Sequence, residues 1–241
     1  MDPSHLDELI ELEDNYWWHV AKRELVTNIV TREFPAPATL VEGGIGSARN
    51  LVEFKKLGYD VVGFDLMPES VEHAKQRGLD RCEVHDLGTP WPLEENSVDV
   101  VLMLDVLEHV EFPVTVMEHI KNVLRPGGGL VFTVPCYPWL YSDWDKSLGH
   151  FRRYTQKEMR SQAASAGLNV KFMSHWNGFT LPAALAVRGY EKVFPRQRKP
   201  EFPRVSPMMN RTLLTMAKLE RGWVKAIGMP AGLSLVGVLT K

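Results

Sequence analysis

The 241-residue chain has little of several features that mark specialised classes of protein. Its two cysteines, Cys82 and Cys136, lie far apart and form no metal-ligand spacing, so the sequence predicts buried, reduced thiols and no metal site. No apolar run is long enough to span a bilayer. The formal net charge of −2 excludes a strong overall attraction to nucleic acid or to anionic membranes.

The remaining composition is that of an ordinary globular domain. Hydrophobic residues make up 44% of the chain and charged residues 24%, and the length suits one domain with an insertion. The start of the chain is acidic, unlike the positively charged start of a secretory signal. Together with the few cysteines, this predicts a cytoplasmic protein.

Charge is unevenly distributed along the chain. Residues 188–225 hold ten Lys or Arg and three Glu, a local balance of +7. This stretch is either a solvated polar surface or a basic wall that faces an anionic substrate or membrane surface.

Strand and helix patterns alternate between residues 39 and 135, which is typical of a parallel sheet with right-handed crossovers. The predicted strands of this part are 39–43, 60–65, 81–85, 98–104 and 129–135, and the predicted helices are 47–57, 69–77 and 112–124. The flanking parts are predicted as helices within 4–34, a loop at 136–153, a helix from 155 to about 167, a strand at 169–175, a helical segment at 178–225 and a strand at 233–240.

The most informative stretch is a glycine turn after the first predicted strand. Gly44 and Gly46 have no Cβ, so the backbone can approach a ligand closely, and a helix N-terminus there favours a negative group. Glu42 at the strand edge can accept a hydrogen bond from a ligand ammonium group or can brace the turn. Asp65 ends the second strand, where a carboxylate can bind ribose hydroxyls or can cap the helix that begins after Pro68.

These residues, in this order, resemble the class I S-adenosylmethionine-dependent methyltransferases. The glycine turn looks like the first motif of that family, with Ala48 where a third glycine is common. Asp86 stands where the family contacts the adenine amino group, L-D-V-L-E-H-V at 104–110 resembles the loop after the fourth strand, and R-P-G-G at 125–128 resembles the turn before the fifth. The glycine turn alone also occurs in dinucleotide dehydrogenases, but the ordered set does not.

The resemblance covers residues 39–135 well and 150–175 moderately, and it implies an α/β fold. That fold is a doubly wound, seven-stranded, mostly parallel sheet with an antiparallel seventh strand. Residues 1–38 would form an N-terminal helical lid, residues 39–177 and 226–241 the cofactor-binding core, and residues 178–225 a helical insertion that caps the acceptor side.

The resemblance also implies S-adenosylmethionine as the cofactor. Aromatic side chains of the lid can shield its sulfonium by cation–π attraction, although they can equally pack into a core edge, the interpretation favoured for Trp18. The predicted cofactor-binding residues are Glu42, Gly43, Gly44, Gly46, Asp65, Leu66, Asp86, Leu87, Leu104, Tyr16, Trp17 and Arg23.

A general base is needed only if the acceptor must lose a proton. His150 is the first candidate because its loop should lie over the carboxyl edge of the sheet, and His109 is the second. Arg152 and Arg153 can clamp an acidic acceptor, with Tyr141 beside them, or they can pair with Asp143 or Asp145 just upstream.

The expected function is S-adenosylmethionine-dependent methylation of a small-molecule acceptor, at oxygen. Alternatives are a peptide- or protein-modifying methyltransferase that forms carboxylate methyl esters, a non-catalytic cofactor-binding partner subunit, and a nicotinamide-dependent oxidoreductase of the same fold. Nucleic acid is not an expected acceptor because the chain lacks an N-P-P-Y-type motif. The sequence does not indicate the oligomeric state.

Overall fold

A computed structural model describes residues 3–193 and 203–241, and shows a mixed seven-stranded sheet with helices on both faces. The strands are β1 Thr39–Gly43, β2 Asp60–Asp65, β3 Cys82–Val84, β4 Val98–Leu104, β5 Leu124–Pro135, β6 Asn169–Trp176 and β7 Ser234–Thr240. The helices are α1 Pro3–Leu12, α2 Trp17–Glu33, α3 Arg49–Lys56, α4 Pro68–Gln76, α5 Pro113–Val123, α6 Asp143–Ser147, α7 Gln156–Ser165, α8 Leu181–Val193 and α9 Pro207–Ala226.

The strand order is β3-β2-β1-β4-β5-β7-β6. The first five strands in this order are parallel, and β7 is antiparallel to both β5 and β6. The predicted fold, including its inserted antiparallel strand, is confirmed. The order changes direction between β1 and β4, and ligands of open α/β sheets bind at the carboxyl edge of such a point.

The central strands are continuous apolar runs because helices cover both of their faces. In β4, Val100 and Leu102 belong to the cluster beneath α2, while Val101 and Met103 belong to the cluster beneath α5. Helix α5 begins with Pro113 at its first turn and buries an apolar stripe of Val116, Met117, Ile120 and Val123. This sandwich fixes the sheet edge on which the cleft is built.

The start of β5 differs from the prediction. The R-P-G-G stretch was expected to be a turn, but β5 begins at Leu124 and the register with β4 shifts between Val98 and Val100. Gly127 takes a left-handed φ of +82°, and Arg125 pairs with Asp99 at 2.9 Å. The glycines therefore form an irregularity within the strand.

The predicted helical insertion at 178–225 contains two helices, α8 and α9, and α9 packs against α2. The part of this prediction that falls on residues 194–202 lies outside the described residues. In the two described ranges no helix is both long and apolar enough to cross a membrane.

Candidate functional site

A cleft of about 810 Å³ lies at the carboxyl ends of β1, β2 and β4, between α2 and the loop that follows β4. This volume is within the range of small-molecule sites. Nine of the twelve residues predicted to bind a cofactor line the cleft, namely Glu42, Gly44, Gly46, Asp65, Leu66, Asp86, Leu87, Leu104 and Arg23.

The glycine turn needs its glycines for conformational and steric reasons. Gly44 and Gly46 have left-handed φ values of +73° and +51°. A Cβ on Gly44 would lie 2.6 Å from a methyl group of Val106, and a Cβ on Gly43 would lie 2.7 Å from the sulfur of Met103. Gly43 is buried and does not line the cleft, so its role in the structure is to allow close packing under the turn.

Asp65 joins the turn to the next helix. Its Oδ2 accepts a hydrogen bond from the Gly46 N–H at 3.0 Å, and its Oδ1 accepts one from the Met67 N–H at 2.9 Å. Each carboxylate oxygen has a second lone pair, so Asp65 can hold the backbone and still accept from a diol in the cleft. The two roles considered for Asp65 are therefore compatible.

Asp86 also combines a backbone contact with a position on the cleft. Its Oδ1 accepts a hydrogen bond from the Gly88 N–H at 2.9 Å, which is the geometry of a turn-forming Asp. The side chain is exposed and lines the cleft, so it can also meet a ligand.

Glu42 is buried beneath the turn, and burial raises the pKa of its carboxyl group to about 8. Its Oε1 accepts a hydrogen bond from the Asn50 side chain at 2.8 Å. Its Oε2 is buried and has no hydrogen-bond partner among the described residues. The carboxyl group is thus mostly protonated at neutral pH, and Oε2 is the oxygen left for a ligand in the cleft.

We expect Glu42→Gln to remove a pH dependence of stability. Glu42 binds its proton more tightly in the folded protein than in the unfolded chain, so its contribution to stability falls as pH rises from about 4.5 to about 8. The loss is on the order of 3–5 kcal/mol. Denaturant unfolding measures the free energy of unfolding at pH 6 and at pH 8.5. This free energy should fall less between the two pH values for Glu42→Gln than for wild type, and equal falls would contradict the pKa assigned to Glu42.

Helix α2 contributes a different set of residues from the one predicted. Trp18, His19, Lys22 and Arg23 line the cleft. Their spacing of i, i+1, i+4 and i+5 places them on one helical face, a signal that the sequence contains but that was not used for Lys22. Lys22 Nζ lies 2.7 Å from Asp105 Oδ2, and this ammonium group holds the pKa of Asp105 below its usual range against the opposing effect of burial.

Tyr16 and Trp17 do not line the cleft, contrary to prediction. The hydroxyl of Tyr16 donates to the carbonyl of Pro203, and the N–H of Trp17 donates to Asn210 Oδ1 at 2.8 Å. Both rings are buried because they start α2 on the side that meets the chain around α9. Successive residues of an α-helix point about 100° apart, so Trp17 and Trp18 face different surroundings.

The other end of the cleft holds a pair of histidines. His109 lines the cleft, and the ring of His150 stands edge-on to it with 4.6 Å between ring centroids. Burial and the neighbouring His150 lower the pKa of His109 to about 4, so its imidazole is neutral at pH 7. His150 is not among the residues that line the cleft, and lies behind His109.

His150 is held by a buried carboxylate. Its Nδ1 lies 3.1 Å from Asp145 Oδ1, which also accepts from Arg153 Nε at 2.7 Å. Burial alone would raise the pKa of Asp145, but the hydrogen bonds from His150 and Arg153 outweigh it and hold the pKa at about 2. An ionised carboxylate only accepts, so Nδ1 of His150 carries the hydrogen.

The residues predicted to bind the acceptor serve this loop and do not line the cleft. Arg153 pairs with Asp145, as the alternative interpretation held, and Arg152 donates to the Glu111 carbonyl at 2.9 Å. The hydroxyl of Tyr141 donates to the carbonyl of His150 at 2.6 Å. These contacts fix the position of the His150 backbone and ring.

Sequence reasoning missed Glu108, which precedes His109 in the loop after β4. The side chain is buried, and burial together with nearby Asp105 raises the pKa of its carboxyl group well above the usual range. The L-D-V-L-E-H-V motif drew attention to this loop, but its periodicity gives no sign that Glu108 points inward.

A family model described as a methyltransferase domain matches residues 17–190 of the chain. A ubiquinone biosynthesis O-methyltransferase from Xanthomonas euvesicatoria pv. vesicatoria is 28% identical over 144 residues, which are 53% of this chain and 59% of that protein. An uncharacterized 37.1 kDa protein in transposon TN4556 of Streptomyces fradiae is 33% identical over 134 residues, which are 53% of this chain and 38% of that protein. The matched part thus spans about two fifths to three fifths of the length of these relatives.

Among solved structures, a TehB-like S-adenosylmethionine-dependent methyltransferase from Corynebacterium glutamicum has a TM-score of 0.60 at 18% identity. The comparison covers 100% of both chains. At this level of identity the likeness concerns the fold.

Proposed function

Because the chain belongs to the methyltransferase domain family, we propose that it transfers a methyl group to an oxygen atom of a small-molecule acceptor. The protein is an S-adenosylmethionine-dependent methyltransferase. One observation carries the proposal about the acceptor, namely that the cleft is lined both by the carboxylate of Asp65, at the end of β2, and by the imidazole of His109, on the loop after β4.

The residues of the cleft fit the cofactor. The buried Glu42 Oε2 has no hydrogen-bond partner among the described residues, and the ammonium group of the amino acid end would supply one. The positive charge of that group would lower the pKa of Glu42, so that Oε2 loses its proton and accepts the hydrogen bond. We assign the ribose hydroxyls to Asp65, the adenine amino group to Asp86 and the carboxylate to the turn at Gly44 and Gly46. When bound, the cofactor supplies a methyl group on a positively charged sulfur, which leaves as a neutral thioether.

Two observations support an oxygen acceptor. A hydroxyl must lose its proton as it is methylated, and His109 presents an imidazole to the cleft from the loop after β4. The Xanthomonas relative that matches 53% of this chain is a ubiquinone biosynthesis O-methyltransferase. The remaining task of the chain is to align the acceptor and exclude water, and we assign this to Trp18, Phe112 and Phe151 on the cleft wall.

The test has two steps. Calorimetric titration with S-adenosylhomocysteine and with NAD should show binding of the first alone. Incubation with S-adenosylmethionine and a panel of phenols, diols, carboxylic acids and amines should then give methylated hydroxyl compounds by mass spectrometry. Products confined to carboxylic acids, amines or added peptides would contradict the oxygen assignment, and tight binding without any product would favour a non-catalytic subunit.

A further inference from the structure

We propose that Glu108, His109 and His150 form a binding site for a divalent transition-metal ion at the acceptor end of the cleft. One carboxylate oxygen and one nitrogen of each ring lie within 4.8 Å of one another. Ligand atoms on opposite sides of an ion are about 4.2 Å apart when each bond is about 2.1 Å long. The three donors therefore need only a small contraction to share one ion, and two imidazoles with a carboxylate suit Mn²⁺, Fe²⁺ or Zn²⁺.

Glu108 is the residue that points to a ligand. Its side chain is 1% exposed, and its Oε2 accepts no hydrogen bond from any described residue. A buried carboxyl group without a hydrogen-bond partner is costly, and a divalent cation that replaces its proton would compensate for that cost. Lys22 and Arg153 are the positively charged side chains near Glu108. Each forms its salt bridge with another carboxylate, Lys22 with Asp105 and Arg153 with Asp145.

The outer contact of His150 is that of a metal ligand. Asp145 holds Nδ1 of His150, which leaves Nε2 and its lone pair for an ion. Metal-binding histidines commonly use their second nitrogen in this way, with a carboxylate or a backbone carbonyl as the partner. His109 Nδ1 lies beside Gly149, about 4.0 Å from the position of a Cβ on that residue, so this side of the ring faces the backbone of the loop.

The role of the ion rests on the proposed function. His109 lines the cleft, so an ion bound to its ring would keep coordination positions open on that side. With the ion bound, His109 acts as a ligand and not as a base. An acceptor hydroxyl bound to the ion would release its proton to water more readily, because a divalent cation stabilises the resulting anion. The preferred acceptors are then molecules with a hydroxyl next to a second oxygen, which can chelate the ion.

Calorimetric titration of the EDTA-treated, dialysed full-length chain with MnCl₂ tests the site. We expect one ion per chain, and at least 10-fold weaker binding by Glu108→Gln and by His150→Ala. Asp145→Asn should weaken binding about 10- to 100-fold without removing a ligand. Glu118→Gln and His119→Gln on α5 are matched controls outside the cluster and should bind like wild type.

Circular dichroism shows whether each variant is folded. If Glu108→Gln or His150→Ala does not fold, the comparison of Asp145→Asn with wild type still tests the site. Binding without defined stoichiometry, or equal binding by wild type and the cluster variants, would overturn the site. Titration of the same samples with S-adenosylhomocysteine separates the two proposals. Normal cofactor binding without Mn²⁺ binding contradicts the metal site alone, whereas failure to bind S-adenosylhomocysteine contradicts the proposed function.

A second, independent observation concerns the outward face of α9. We infer that this face binds the surface of an anionic lipid bilayer. Helix α9 buries one face against the core, and a stripe on the other side is between 40% and 80% exposed. This outer stripe, at helical spacing, consists of Met208, Met216, Leu219, Trp223 and Ile227.

Charge favours a lipid surface as the occupant. The stretch 188–225 carries a balance of +7 in a chain whose net charge is −2, and Arg204, Arg211 and Lys218 are exposed near the outer stripe. A helix with large apolar side chains, a tryptophan and basic neighbours is typical of attachment in the plane of an interface, and each basic residue adds about 1 kcal/mol near an anionic leaflet.

Co-sedimentation of the full chain with vesicles tests this surface. We expect binding to phosphatidylglycerol-containing vesicles, weaker binding at high salt, and at least a 5-fold loss for Leu219→Ser combined with Trp223→Ala. Leu57→Ser, which removes an exposed leucine elsewhere, should not change binding. Absence of vesicle binding would overturn the inference, as would a dimer that dissociates in the double variant, since a second copy would then be the occupant.

Discussion

Asp65→Ala should weaken binding of S-adenosylhomocysteine by about 100-fold or more. Its carboxylate is the cleft-facing acid at the end of β2, and two hydrogen bonds from ribose hydroxyls to a charged group are together worth about 3 kcal/mol or more. The change also removes the acceptor for the Gly46 and Met67 N–H groups, which loosens the turn. Calorimetric titration measures the loss directly.

Two further variants make this result specific. Asp65→Asn keeps one acceptor oxygen for the backbone and should lose less affinity than Asp65→Ala. Asp60→Ala removes a carboxylate from the opposite end of the same strand, where Asp60 pairs with Arg81, and should bind normally. Wild-type affinity in a folded Asp65→Ala protein would remove Asp65 from the ribose site.

His109→Gln should lower the rate of methyl transfer to a hydroxyl acceptor by about 100-fold or more, with less than a 3-fold change in cofactor affinity. The imidazole lines the cleft from the loop after β4, and we assign it to the acceptor rather than to the adenosine end of the cofactor. Single-turnover kinetics at saturating cofactor measure the chemical step. His150→Ala should also slow transfer, because His150 supports the His109 ring from behind.

The control for His109→Gln is His119→Gln, which changes a histidine of α5 that makes a contact with the Gly88 carbonyl. It should transfer methyl groups at close to the wild-type rate. A His109→Gln enzyme as fast as wild type would show that the acceptor needs no imidazole, and would favour a carboxylate acceptor that has no proton to lose.

The bounds of the central strands and the cofactor end of the cleft could be predicted because both depend on local signals. Apolar runs with defined ends gave β1, β2 and β4 to the residue. The carboxyl ends of parallel strands meet at one edge, so Glu42, Asp65 and the glycine turn had to come together there. The exception was β5, where glycines that resemble a turn instead form an irregularity in a continuous strand.

The acceptor end could not be predicted in the same way, because it depends on contacts between distant segments. Glu108 and His109 meet His150 across a loop without periodicity, so sequence spacing did not suggest the cluster, and the prediction of no metal site considered only cysteine spacing. For α2, the sequence indicated a helix but not its rotation. Trp18 and His19 therefore occupy the cleft in place of Tyr16 and Trp17.

A crystal structure of the protein with S-adenosylhomocysteine tests the central claim most directly. We expect the ribose hydroxyls within hydrogen-bond distance of Asp65, the amino acid end at the turn formed by Gly44 and Gly46, and the sulfur directed toward His109. Density for the ligand elsewhere on the protein, or in the cleft with the ribose away from Asp65, would contradict the account.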